Sequence, residues 1–185
     1  DMNDVLNAIK NRRSVRKYKP DQISPEELDL ILEAGMYAPS YGNQQPWHFT
    51  VIQNQNLLEH IDRTIREEIA EARIESFRSL RANPDFRATY GAPTLVVVSG
   101  RKDGSDWRVD CSAAIQNMLL AAESLNIGSV WLGFMTFYFE RKEEVEKLGI
   151  PEGYEPFYGV LLGYRADDQP AFAPKRNMDV VNYIR

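Results

Sequence analysis

Two stretches of the chain concentrate groups able to hold a ligand. The first is Arg12-Arg13-Ser14-Val15-Arg16-Lys17-Tyr18-Lys19, where five of eight residues are basic. Like charges set side by side repel, and an anion among them removes that cost. Arginine forks match the oxygens of a phosphate, and the Ser14 hydroxyl adds a compact donor. The same run also suits a solvated helix end, because cations are favoured at helix C-termini. The second stretch is Ala38-Pro39-Ser40-Tyr41-Gly42-Asn43-Gln44-Gln45-Pro46-Trp47-His48-Phe49. Its two prolines and one glycine impose an irregular backbone. Ser40, Asn43, Gln44 and Gln45 offer donors and acceptors without charge, a set suited to a planar heterocycle edged with carbonyls and ring nitrogens. Taken alone, it also reads as a polar loop between a helix and a strand.

Other chemistries lack their residues. No Gly-x-Gly-x-x-Gly follows a strand pattern, so no Rossmann dinucleotide turn is expected. There is no Gly-x-Ser-x-Gly and no Walker motif. Cys111 is the only cysteine, which excludes an intrachain disulfide and a cysteine-based zinc site. His48 and His60 have few carboxylates near them in sequence, so no metal is expected. His48 reads as structural and Cys111 as inert packing.

Composition sets the class. The chain has 185 residues, 43% hydrophobic and 26% charged, ordinary for a globular protein. A single domain over 1–185 is the expectation. The net charge of −5 argues against a broad basic face for nucleic acid or acidic membranes. No stretch approaches the roughly 18 apolar residues of a membrane span. The first residues lack the apolar core of a secretory signal, and the expected location is cytoplasmic.

These ligand-holding stretches must be positioned by regular elements. Asn3 to Asn11 fits a short amphipathic helix. Ser24-Pro25-Glu26-Glu27 is a helix start with a capping box, and that helix should stop before Pro39. Trp47 to Ile52 reads as a strand, and Leu57 to Arg81 as one long charged helix. Thr94 to Ser99 is a continuous apolar run and hence a buried strand. Ser129 to Phe134 and Phe157 to Tyr164 are two more. Asp110 to Asn126 is apolar nearly all round, so it must be covered on several sides, either by a partner subunit or as the central helix of a monomer.

The ordered set of motifs from Val5 to Ile184 resembles the nitroreductase family of flavoproteins. Arg12-Arg13-Ser14-Val15-Arg16 is similar to its phosphate-binding segment. Ala38-Pro39-Ser40 with Asn43 and Gln45-Pro46-Trp47-His48-Phe49 resembles its flavin loop. Gly91-Ala92-Pro93-Thr94 leads into a strand similar to its own. Asp110-Cys111-Ser112-Ala113-Ala114-Ile115-Gln116-Asn117 resembles its dimer helix. Gly128-Ser129-Val130-Trp131-Leu132-Gly133 is similar to its strand beside the flavin. Gly159-Val160-Leu161-Leu162-Gly163-Tyr164 and Pro174-Lys175-Arg176 match its last strand and second phosphate contact.

The resemblance implies an α+β fold, a mixed sheet flanked by helices, in an interlocked homodimer with an exchanged C-terminal arm at Met178 to Arg185. It implies FMN as cofactor. Arg12, Arg13, Ser14 and Arg16, with Lys175 or Arg176, would hold the phosphate and ribityl chain. Ser40, Asn43 and Gln45 would line the isoalloxazine, partly from the other subunit. The backbone near Leu132 and Gly133 would meet its redox-active edge. NADH or NADPH would be the transient hydride donor and a small organic molecule such as a nitroaromatic or quinone the acceptor, in ping-pong order. The flavin carries that chemistry, so no catalytic side chain is expected. Tyr41, inside the flavin loop, is the candidate substrate contact. Similar flavoproteins reduce alkenes or remove halogens, and an anion-binding module without catalysis is the remaining alternative. Phe77 to Arg87 could form part of a lid.

Overall fold

The Ser24 side chain accepts the Glu27 N–H while the Glu27 side chain accepts the Ser24 N–H. This reciprocal cap starts the first long helix at the position its sequence demands. In the computed structural model, which describes residues 2–103, 106–170 and 172–185, the elements run in a fixed order. They are α1 (Asp4–Asn11), α2 (Pro25–Met36), β1 (Trp47–Ile52), α3 (Gln55–Ala72), α4 (Arg78–Ala82), β2 (Thr94–Arg101), α5 (Trp107–Ser124), β3 (Gly128–Leu132), α6 (Met135–Phe139), α7 (Lys142–Glu146) and β4 (Tyr154–Gly163).

The strands form one sheet in the order β1-β2-β4-β3, and all three neighbouring pairs are antiparallel. This corrects the expectation of a mixed sheet within the chain. β2 and β3 do run parallel, as a helical crossover through α5 requires, but β4 inserts between them and meets each antiparallel. The one parallel contact among the described residues is the isolated bridge from Ser14 to Ser129.

The sheet is covered on both faces, which is why Thr94 to Ser99 reads as an unbroken apolar run. Val96, Val98, Val160 and Leu162 pack with α2 and α5. Leu95, Val97, Val130 and Leu161 pack with α3 and α6. Helix α5 is buried by its own chain, with Ala114, Ile115 and Met118 at 0% and Leu119 at 3% exposure. Its buried side is covered by α2 and the sheet, while Val109 on the same helix stands 62% exposed. Its first residue, Trp107, lies where a side chain at Gly100 would be: an ideal Cβ there would stand 2.0 Å from the indole.

The long charged helix expected to Arg81 stops at Ala72. Arg73 is left-handed at φ 50°, a conformation that ends helices. The buried stripe Leu58, Ile61, Ile65 and Ile69 runs out there. Phe77 then turns inward to meet Phe134 and Phe137 edge-on. The strands expected from Ser129 to Phe134 and from Phe157 to Tyr164 run instead over the bounds of β3 and β4. No described helix is long and apolar enough to cross a membrane.

Two apolar surfaces have no cover. Helix α1 buries none of its residues, and Val5, Leu6 and Ile9 stand out from it. Residues 172–185 have no helix or strand, and Met178, Val180, Val181, Tyr183 and Ile184 are all at least 65% exposed.

Candidate functional site: an arginine cradle and a distant polar loop

Helix α1 ends at Asn11, and Arg13 closes it by donating Nη1 to the carbonyls of Lys10 and Arg12, each at 2.9 Å. Val15, fully buried, then donates its N–H to Ser129 O at 2.9 Å. That bond ties the basic segment to the outer edge of β3. Because side chains alternate along an extended segment, burying Val15 turns Ser14 and Arg16 outward. Both face a cavity of about 490 Å³ that Arg12, Arg13, Phe172 and Arg176 also line.

The cationic set is narrower than the sequence suggested. Lys17 and Lys19 are paired with Asp168 and Asp167 at 2.8 and 3.3 Å, so two of the five charges are already met. Lys175 is exposed and is not among the residues lining the cavity, whereas Arg176 is. Burial, then the like charge of Arg176, lowers the Arg12 pKa, while Glu123 opposes the shift. The Glu123 carboxylate is itself engaged by Arg165. Arg12 is thus a crowded cation that an anion would relieve.

Gln169 was not anticipated. Its Oε1 accepts the N–H groups of both Arg16 and Lys17 at 2.9 Å, bracing the segment from 153 residues away in sequence. No local pattern announces such a contact.

The second cluster is a self-braced loop. Gly42, Asn43 and Gln45 have φ of 56°, 54° and 48°. The two non-glycine residues cost free energy there and persist only when neighbours hold them. The Ser40 hydroxyl accepts the Gln45 N–H at 2.9 Å, and Arg101 donates to Gln44 O at 3.0 Å. Asp110 Oδ1 accepts the Tyr41 N–H at 3.3 Å, and its Oδ2 is buried with no partner among the described residues. The Asn43 and Gln45 side chains are exposed and, among the described residues, make no hydrogen bond within the chain, while Tyr41 is 70% exposed.

The cradle adjoins the outer edge of β3, whereas the loop runs into β1 at the opposite edge of the sheet. Since Ser129 turns its carbonyl outward to Val15, the alternation turns Trp131 outward too, and Gly133 follows in the turn after β3. Leu132 is buried and directed at Gly159 of β4. Gly133 has nothing within 4 Å of where a Cβ would stand, so a flat molecule could approach its backbone. Ser129 to Leu132 spans about 10 Å of strand.

Within one chain the cradle and the loop do not meet. The cradle lies by Glu123 and the loop is held by Asp110. Those residues are 13 positions apart on α5, about 20 Å along a helix axis. Arg12, Arg13, Ser14, Arg16 and Arg176 come together; Ser40, Tyr41, Asn43 and Gln45 form a separate group. His48 and Cys111 belong to neither. His48 packs on Tyr154 at 5.4 Å between ring centroids. Burial pushes the Cys111 thiol up to about 12, which makes it a poor nucleophile.

The defining pattern of the Nitroreductase family matches residues 9–164. A relative from Archaeoglobus fulgidus, assigned as an NADH dehydrogenase/NAD(P)H nitroreductase, is 39% identical over 91% of this chain and 89% of its own. An FMN reductase [NAD(P)H] from Bacillus subtilis is 28% identical over 98% of this chain and 74% of its own. The crystal structure of a nitroreductase with bound FMN from Bacteroides fragilis superposes with a TM-score of 0.89 at 35% identity, covering 100% of both chains.

The Asp110 contact can be checked directly. Asp110→Ala removes the acceptor of the Tyr41 amide, a charge-assisted bond worth about 1.5–3 kcal/mol. Native-state hydrogen exchange at the Tyr41 amide should accelerate by about 10- to 100-fold, with core amides of β2 unchanged. Equal protection in both proteins would mean that Asp110 does not order the loop.

Proposed function

The chain belongs to the nitroreductase family, and we propose that it is a homodimeric NAD(P)H-dependent oxidoreductase that holds FMN between two copies of itself. The observation that carries this reading is the crowded arginine cradle opening onto the free edge of β3. Among the described residues, Arg12, Arg16 and Arg176 have no carboxylate of their own to answer them, apart from a Glu123 already engaged by Arg165. A phosphate dianion fits that set, and the Ser14 hydroxyl adds a neutral donor. The phosphate and ribityl chain would lie against Ser14, and the ring would reach along the edge toward Trp131 and Gly133, the latter with nothing within 4 Å of where a Cβ would stand. Outward backbone groups there would hydrogen-bond the ring and steady negative charge on it. When bound, FMN supplies the hydride chemistry, accepting from NADH or NADPH and donating to a small organic acceptor such as a nitroaromatic or quinone.

The same geometry supports the dimer. Ser40, Asn43 and Gln45 are suited to a flavin ring but lie about 20 Å from their own cradle. A second copy whose α5 packs beside the first would bring its loop to that cradle. The uncovered faces of α1 and of residues 178–184 are the surfaces such a copy would bury, an exchanged arm included. Donor and acceptor would take turns in one cleft, which gives ping-pong kinetics. Tyr41, exposed at the loop tip, would bound the space left for the acceptor and could stack on a flat one.

Two measurements test these roles. Arg12→Ala should weaken FMN binding by about 2–3 kcal/mol, the worth of a charge-assisted hydrogen bond, or roughly 30- to 150-fold in Kd. Riboflavin, which lacks the phosphate, should bind the wild type far more weakly than FMN; equal affinities would end the phosphate assignment. Tyr41→Ala should leave FMN affinity nearly unchanged while raising kcat/KM for a large quinone relative to a small one. A ratio that does not move would make Tyr41 a structural loop residue.

A further inference from the structure

A second cavity, of about 610 Å³, shares no lining residue with the arginine cradle. It lies at the same end of the sheet but at the opposite edge. Thr94, Leu162 and Ser129 form one row across the strands. The cradle sits outside β3 by Ser129, and the second cavity sits by Gln53 and Thr94, at the end of β1. Three strand spacings, about 14 Å, separate the two edges. Residues 14–22 cross that end from one cavity to the other, fixed by Val15 on Ser129 O, Lys19 on Tyr164 O and Gln22 on Pro93 O.

The cavity is built rather than incidental. Leu58, Ala92 and Pro93 supply apolar surface. Gln53 Nε2 donates to Thr94 Oγ1 at 2.9 Å, and Thr94 donates to Gln22 Oε1 at 2.6 Å, which fixes both amide side chains in the wall. Asp62, 5% exposed, accepts the Thr89 N–H at 3.0 Å and Arg66 Nε at 2.8 Å. The Arg66 guanidinium is held by that one nitrogen, leaving its two terminal nitrogens without a partner among the described residues.

Two more arginines line the same space. Arg63 makes no side-chain hydrogen bond or ion pair among the described residues. Arg87 donates only to the carbonyls of Pro84 and Phe86. Against three guanidiniums stand Asp62, already shared with Thr89, and Glu59, which accepts from Gln55 at 3.2 Å. In a chain of net charge −5, this concave wall gathers three arginines against two carboxylates, and Arg63 and Arg87 make no ion pair among the described residues.

We propose that this cavity is a second ligand site, for a small dianion presenting phosphate or carboxylate oxygens. Guanidinium forks give such oxygens paired, directed donors. The volume lies in the range of small-molecule sites, and Gln22 and Gln53 provide neutral groups for the rest of the molecule. The site is independent of the flavin reading, since it uses other residues at another edge.

The test is calorimetric titration of the purified, FMN-loaded protein with inorganic pyrophosphate and, separately, with succinate, so that the two sources of anionic oxygen are distinguished. Saturable binding of either probe is expected. Arg63→Ala/Arg87→Ala, two exposed positions whose loss leaves the core intact, should weaken it by at least about 100-fold, from two charge-assisted hydrogen bonds. Arg12→Ala, loaded with FMN at saturating concentration, should bind the probe like the wild type. Overturning results would be no saturable heat with either probe, heat that survives in the double variant, or heat lost equally in Arg12→Ala, which would place the anion in the cradle.

Discussion

The burial of α5 constrains everything else in this chain. Its apolar faces are closed off by α2 on one side and by Val96, Val98, Val160 and Leu162 of the sheet on the other. Trp107 seats one end on Gly100, and the chain leaves the other end directly into β3, with Ile127 N–H bonded back to Ala122 O. A rod of 18 residues held this firmly is about 27 Å long, and it cannot shorten to bring its ends together. The groups suited to a phosphate gather at one end and the groups suited to a planar ring gather at the other. On the proposed reading, a single copy carries two half-sites that a second copy would oppose.

Charge placement follows the same division. The basic run looks uniform in sequence, yet its members do different work. Arg13 closes α1, while Lys17 and Lys19 tie the segment to Asp168 and Asp167. These exposed pairs contribute little stability individually, but they fix which cations remain unanswered. Arg12 and Arg16 are left facing Arg176, which arrives from the far end of the chain. Concentrated unanswered charge is tolerated where a ligand neutralises it, and the uncovered α1 face directly precedes Arg12 in sequence while the uncovered C-terminal segment directly follows Arg176.

Much of this was legible in the sequence because the signals were local. The Ser24 cap, the apolar run at Thr94 and the Pro-Gly punctuation around Tyr41 each act over a few residues, and each element formed where those residues placed it. What was not legible depended on distance. Asp110 meets Tyr41 from 69 positions away, and Gln169 meets Arg16 from 153. The insertion of β4 between β2 and β3, which makes the sheet antiparallel, is set by how the crossover through α5 packs. The end of α3 at Ala72 also escaped, because the charged pattern continues through Arg73 while the buried stripe does not. The choice between Lys175 and Arg176 likewise needed the fold, since adjacent residues point to opposite sides of an extended chain.

The central claim is that each FMN site takes its phosphate cradle from one subunit and its ring loop from the other. Subunit complementation tests it most directly. Arg12→Glu damages the cradle, and Asn43→Ala/Gln45→Ala damages the loop. Each variant alone should bind FMN weakly. Co-expressed with different affinity tags and purified as the heterodimer, the two should yield one site of wild-type FMN affinity per dimer, because one intact cradle then faces one intact loop. A heterodimer with no tight site at all would mean that cradle and loop serve within the same chain, and the two-subunit account would be wrong.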